Sequence, residues 1–235
     1  DALSLLGCGC GLVDETCGEG TCSAGFYCEK SHCGAPACHP PTSDIARAMC
    51  TGGAIDGACA VTGGTKRVFL SSAVYTGALG GVAGADAKCQ ALAGSAGLSG
   101  TYRAWLSSND AAPEVEVAPF TTFARFYGAY ELVDGSVVAN NWYELVDGRL
   151  DHAIDVTELF GAADPSAAVC GAGAGVWTNT GIDSLAALWN DCDEWTDASA
   201  PNGLAGSTGS FIGWTQDNSC FLPCGSLAHL YCFEQ

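Results

Sequence analysis

Between residues 189 and 197 the chain carries a dense run of side chains with oxygen or aromatic character: Trp189, Asn190, Asp191, Asp193, Glu194 and Asp197. Hard cations are held by several carboxylate, amide and carbonyl oxygens at once. Asn190, Asp191, Glu194 and Asp197 are therefore the candidate metal ligands, with calcium as the ion that fits them. Trp189, Asn190 and Asp191 are the candidate ligand-binding triplet. The plainer alternative, a loop triplet built around a core tryptophan, stays open at this level. Catalytic patterns are missing: there is no GxSxG, HExxH, Walker or GxGxxG context. Gly171 to Gly175 reads as a flexible loop with no basic residue to help cradle a phosphate. His32 and His39 fall in a cysteine-dense stretch and are expected at the surface, and His152 and His229 stand alone. A binding or structural protein is expected, not an enzyme.

The cysteines say most about organisation. Nine of the fifteen lie between Cys8 and Cys59, and the other six run from Cys89 to Cys232. No CxxC pair occurs, and Cys8-Gly9-Cys10 is the only tight pair, so a closed thiolate metal site is not expected. Structural disulfides and an oxidising compartment are. Residues 1–60 read as a small disulfide-rich module, 61–66 as a linker around Thr62-Gly63-Gly64-Thr65, and 67–235 as a domain long enough to bury a core. An odd count leaves at least one cysteine without a partner in the chain, available as a free thiol or for a link to another chain.

Charge narrows the partners. Eight Lys and Arg stand against 26 Asp and Glu, a net −18, and after Arg149 there are eleven acids and no cation. Such a surface repels nucleic acid, heparin-like polyanions and anionic lipid. The chain starts at Asp1 without a basic leader, so a secretory leader removed upstream is expected. Leu5-Leu6-Gly7-Cys8 resembles a lipid-attachment signal, but Leu6 and the retained residues before Cys8 argue against lipidation. The uncharged stretches Val68–Ala85, Pro165–Ile182 and Ala198–Gln216 are too diluted by Gly, Ser and Thr to read as transmembrane helices.

The elements that must position these groups follow from pattern. Residues 8 to 40 read as loops held by sulfur, loosely similar to small EGF-like or knottin repeats. Arg67-Val-Phe-Leu-Ser-Ser72 reads as a strand. A helix is expected over Ala85 to Ala96, with Ala85, Cys89, Leu92 and Ala96 on one face and Gly97 as its stop. Tyr102 to Leu106 reads as a second strand, and 120–130 as helix or strand. The segment Glu-Leu-Val-Asp-Gly occurs at 131–135 and again at 144–148, and both copies read as turns ending short strands. Trp177, Trp189, Trp195 and Trp214 are expected as core and loop anchors. Leu230 to Glu234 reads as an apolar terminal strand.

A family resemblance now appears. Gly80-Gly-Val-Ala-Gly-Ala-Asp-Ala-Lys-Cys89, Ala96-Gly-Leu-Ser-Gly-Thr-Tyr-Arg-Ala-Trp-Leu-Ser-Ser108, Val176-Trp177, Asp191-Cys-Asp-Glu-Trp195 and Cys224 through Cys232-Phe-Glu234 resemble the endostatin domain of collagens and endostatin-like domains of bacterial secreted proteins. The strong part covers 67–108 and 176–234. The resemblance implies an α+β, C-type-lectin-like fold: a mixed sheet, two helices and long loops, here preceded by the disulfide-rich module. It also implies nested disulfides, Cys89 with Cys232 and Cys192 with Cys224, leaving Cys170 and Cys220 to each other. Endostatin's heparin-binding arginines and histidine zinc site have no counterpart here, so neither function carries over. Trp189-Asn190-Asp191 also resembles the Trp-Asn-Asp of calcium-dependent lectins, although the near match to their second loop, Ala200-Pro201-Asn202, lies downstream and lacks its acid.

Two functions follow as expectations. One is an extracellular structural or adhesive protein of a cell surface, matrix or appendage that assembles with copies of itself. The other is a lectin-like module that binds surface glycans or proteins, with calcium as a possible ion.

Overall fold

The computed structural model describes residues 64–109, 116–123, 126, 128–181, 185–186, 190–217 and 220–235, and the backbone of four short strands nearer the start. It divides into two compact units. The first contains Asp1–Thr65 with Arg125–Ala129 and Asn140–Tyr143, and the second contains Lys66–Ala124, Tyr130–Ala139 and Glu144–Gln235.

In the first unit β1 (Glu15–Cys17) pairs antiparallel with β2 (Gly20–Cys22). Likewise β3 (Tyr27–Glu29) pairs with β4 (Ala37–His39), Cys28 opposite Cys38. The expectation of loops alone between 8 and 40 is corrected by these two ladders. The Leu5–Cys8 segment and His32 fall outside the described residues.

The larger unit is α+β. From Thr65 onward the strands and helices are β5 (Thr65–Leu70), α1 (Gly81–Ser95), β6 (Tyr102–Ala104), β7 (Ser108–Asn109), β8 (Glu116–Val117), α2 (Pro119–Thr122), β9 (Ala129–Leu132), β10 (Val137–Ala139), α3 (Trp142–Leu145), β11 (Val169–Cys170), β12 (Gly173–Trp177), α4 (Cys192–Trp195), β13 (Gly203–Ser207), β14 (Phe221–Leu222) and β15 (Tyr231–Glu234). A five-stranded sheet has the order β10-β9-β5-β15-β6, and a four-stranded sheet the order β11-β12-β13-β14. The terminal strand β15 lies between β5 and β6, with Phe233 opposite both Val68 and Arg103. Flanked on both sides, it buries Tyr231, Cys232 and Phe233 completely, as a central strand of apolar residues should.

Helix α1 starts four residues before the expected position. Its buried residues are Ala85, Cys89 and Ala93, a four-residue step of small side chains that lets it lie close on β6. Leu92 is only half-buried. Gly97 follows the end with a left-handed φ of 72°, and the Leu98 amide donates to the Ala93 carbonyl at 2.9 Å, the glycine stop the sequence suggests.

The core is aromatic. Trp105 packs on Trp214 at 4.9 Å and on Phe233 at 5.2 Å, and Trp177 on Trp195 at 5.6 Å between ring centroids. Trp177, Trp195 and Trp214 are buried, as expected of anchors, while Trp189 lies outside the described residues. Disulfides join Cys89 to Cys232, Cys170 to Cys220 and Cys192 to Cys224, the pairs implied by the endostatin resemblance. Gly171–Gly175 is not a flexible loop: β11 and β12 form a hairpin there, with Gly171 left-handed at φ 57°. A side chain at Gly173 would strike the Thr208 hydroxyl at 2.5 Å. Among the described residues no helix is long and apolar enough to cross a membrane.

Candidate functional site

The candidate site grows from α4, which carries an unusual backbone. Cys192, Asp193, Glu194 and Trp195 all have positive φ, between 53° and 61°. This is a left-handed turn built entirely of non-glycine residues, a conformation that costs roughly 1–2 kcal/mol per residue for L-amino acids. Its neighbours hold it there. The Cys192–Cys224 bridge pins one end. At the other end Trp195 is fully buried, its indole N–H donates to the Ser107 carbonyl at 2.8 Å, and its carbonyl accepts the amides of Leu79 and Gly80 at 2.8 and 3.0 Å. Gly77 and Gly203 leave room for the bridge: a Cβ at Gly77 would lie 2.8 Å from the Cys192 Cβ, and one at Gly203 would lie 2.8 Å from its sulfur.

Asp191 closes the construction. Only 6% exposed, its Oδ2 accepts the Ser108 hydroxyl at 3.1 Å and the Asn109 amide at 2.9 Å, and its Oδ1 accepts the Glu194 amide at 3.2 Å. One carboxylate thereby ties β7 to the left-handed turn. A little further on, the amide and hydroxyl of Ser199 both donate to Asp197 Oδ1 at 2.7 Å. These bonds hold the Asp197 carboxyl below the usual carboxylate range.

Over this frame opens a cleft of about 680 Å³, lined by Asn109, Asn190, Asp191, Cys192, Asp193, Glu194, Asp197, Ala200, Pro201 and Asn202. Four residues singled out from sequence, Asn190, Asp191, Glu194 and Asp197, are thus brought to one surface. They do not play one part. Asp193 is exposed and Glu194 and Asp197 are partly so, Asp197 taking the Ser199 hydroxyl at both oxygens, whereas Asp191 is buried with both oxygens hydrogen-bonded inside the wall. Among the described residues no three His, Cys, Asp or Glu side chains converge as metal ligands do.

Sequence reasoning missed Asn109, whose amide donates to Asp191 at the cleft. Ala200-Pro201-Asn202, noticed for its likeness to a lectin loop, does line the cleft. Nothing local announces the left-handed turn, because four consecutive non-glycine residues carry no signal for it. Of the described histidine side chains, neither reaches this surface. His152 Nδ1 lies 2.8 Å from the Ala153 carbonyl, and His229 is fully buried at the junction of the two sheets.

A family profile described as "Protein of unknown function (DUF1554)" matches residues 72–211, more than half of the 235. The matched stretch contains the whole cleft lining and stops before Cys220, Cys224 and β15. A search of curated proteins gave no match.

Proposed function

The chain belongs to the DUF1554 family, and with that as premise we propose that it is an extracellular, non-enzymatic binding module that receives cationic side chains of a partner protein in the cleft beside α4. The observation that carries this reading is the cleft itself: Asp193, Glu194 and Asp197, three asparagines, Ala200 and Pro201 share its lining, on a turn clamped by a disulfide. A ligand group carrying ammonium or guanidinium would find charge-assisted acceptors there, and the net −18 of the chain would steer it in. Trp177 and Trp195 beside the cleft are buried and offer no stacking face; Trp189 of the candidate triplet lies outside the described residues. The C-type-lectin-like assignment of the larger unit is supported by Cys89–Cys232 enclosing the other two bridges in sequence, and by the irregular stretches between its sheets.

The test is calorimetric titration of the full chain with an oligolysine peptide, an oligoglutamate control and calcium chloride. Oligolysine should bind with an affinity that falls with added salt, and Glu194→Gln with Asp197→Asn should weaken it about tenfold or more. Equal affinity of the wild type and the double variant would sink the cleft reading. Saturable calcium binding with a raised melting temperature would instead favour the calcium-dependent lectin alternative.

The structural or adhesive reading, with a second copy as partner, draws on the odd cysteine count and on the exposed apolar tips Leu159 and Phe160, 63% and 68% accessible. Alkylation without reductant followed by intact mass measurement separates the two. A monomer bearing one alkyl group removes covalent assembly, and a dimer or ladder that collapses with reductant supports it.

A further inference from the structure

His229 sits where the two sheets meet, and every polar atom of its ring is committed. Its backbone amide donates to the Gly175 carbonyl at 2.9 Å, and its carbonyl accepts the Trp177 amide at 3.0 Å. In the ring, Nδ1 lies 2.7 Å from the Ser71 carbonyl and so must donate, while Nε2 accepts the Asp164 amide at 3.1 Å. These two partners permit only the neutral ring with its proton on Nδ1. A second proton would set Nε2–H against the Asp164 N–H, two donors facing each other. Turning the ring over cannot help, because the Ser71 side also demands a donor.

We infer that His229 and the Asp164 amide form an acid-released latch: the neutral ring holds residues 162–168 against the sheets, and protonation lets that segment go. The segment leads directly into β11, the edge strand. It is otherwise held by the Ala168 amide on the Leu227 carbonyl and the Gly175 amide on the Ala168 carbonyl, both at 2.7 Å.

The charged groups facing the ring are Glu158, from the turn after Thr157, and Asp164 itself. Ser71 at the end of β5 and Gly175 to Trp177 on β12 bring none. Tyr75 lies near Glu158, and its phenol, raised by burial and by that carboxylate, stays neutral. Burial is the largest influence and holds the imidazole below its ordinary value, outweighing the Ser71 and Asp164 backbone and both carboxylates, all of which favour a charged ring. Glu158 is occupied by the amide and hydroxyl of Ser72, and Asp164 by Ser166.

The test is amide hydrogen exchange on the full chain from pH 7.5 to 4.5, expressed as protection factors. Protection at Asp164 should fall about tenfold per pH unit below about 6.5 until the folded ring itself is protonated, while the Phe69 and Trp177 amides hold theirs. In His229→Gln, which supplies one donor and one acceptor without titrating, that pH dependence should vanish. Flat protection at Asp164 across the range overturns the latch, as does a parallel loss at Phe69 and Trp177, which means global unfolding. The wild-type comparison decides even if the variant does not fold.

Discussion

Asp191 and His229 are both buried and both hydrogen-bonded at every ring or carboxylate oxygen or nitrogen, yet they answer to different variables. Asp191 joins Ser108, Asn109 and Glu194. Replacing it by Ala leaves two amides and a hydroxyl without their acceptor, at a cost of about 2–4 kcal/mol. Chemical denaturation should read this as a lower midpoint, and cleft binding should fall with it. His229 answers to pH. Its folded-state value lies below the ordinary 6.5, so between the two values the unfolded chain binds the extra proton. The stability this residue contributes is complete above about 6.5 and is lost progressively as pH falls toward the folded value. Melting temperatures should therefore decline from neutral pH downward, and less so in His229→Gln. Sequence singles out Asp191 as a candidate ligand but leaves His229 as a lone histidine. It says nothing of their partners, which lie 83 residues away for Ser108 to Asp191 and 158 for Ser71 to His229.

Among the elements, the repeated Glu-Leu-Val-Asp-Gly segments show how far a local pattern reaches. In both copies the Leu is buried, the Asp carboxylate accepts the amide two residues on at 2.9 Å, and the Gly is left-handed, φ 93° at Gly135 and 97° at Gly148. The turn chemistry is thus written locally. What precedes it is not. The first copy ends strand β9, and the second ends the helical turn α3, so the expectation of two strand ends holds only for the first. β10 is at hand to pair with residues 130 and 131, and hydrogen bonding to a neighbour decides the element. Gly135→Ala and Gly148→Ala should each cost roughly 1 kcal/mol by thermal unfolding, since a Cβ is disfavoured at positive φ. The opposite sign is expected at α4. Glu194→Gly removes the left-handed penalty at φ 55° and should stabilise the protein by about 1 kcal/mol, while weakening cleft binding through the lost carboxylate. A destabilised Glu194→Gly would show that the side chain, not the backbone, holds the turn.

For the whole molecule, sulfur and aromatic packing act over the longest distances. Cys89–Cys232 closes a span of 143 residues between α1 and β15. Opening it by Cys89→Ser with Cys232→Ser should cost about 3–5 kcal/mol, read as a lower denaturation midpoint that reductant cannot lower further through this bridge. Composition and pattern alone determined the division of cysteines, strands near 67–72 and 102–106, which the structure places at 65–70 and 102–104, the helix before Gly97 and the acidic surface, because these depend on local periodicity, turn residues and charge count; the α+β class came from the endostatin resemblance. The tertiary structure decided that Asp191 turns inward while Glu194 and Asp197 face the cleft, that Asn109 and Asn202 join them, that residues 192–195 wind left-handed, and that His229 is locked neutral. Each of those outcomes needs partners far apart in the chain, as Ser108 is from Asp191 and Ser71 from His229, and no local pattern encodes them.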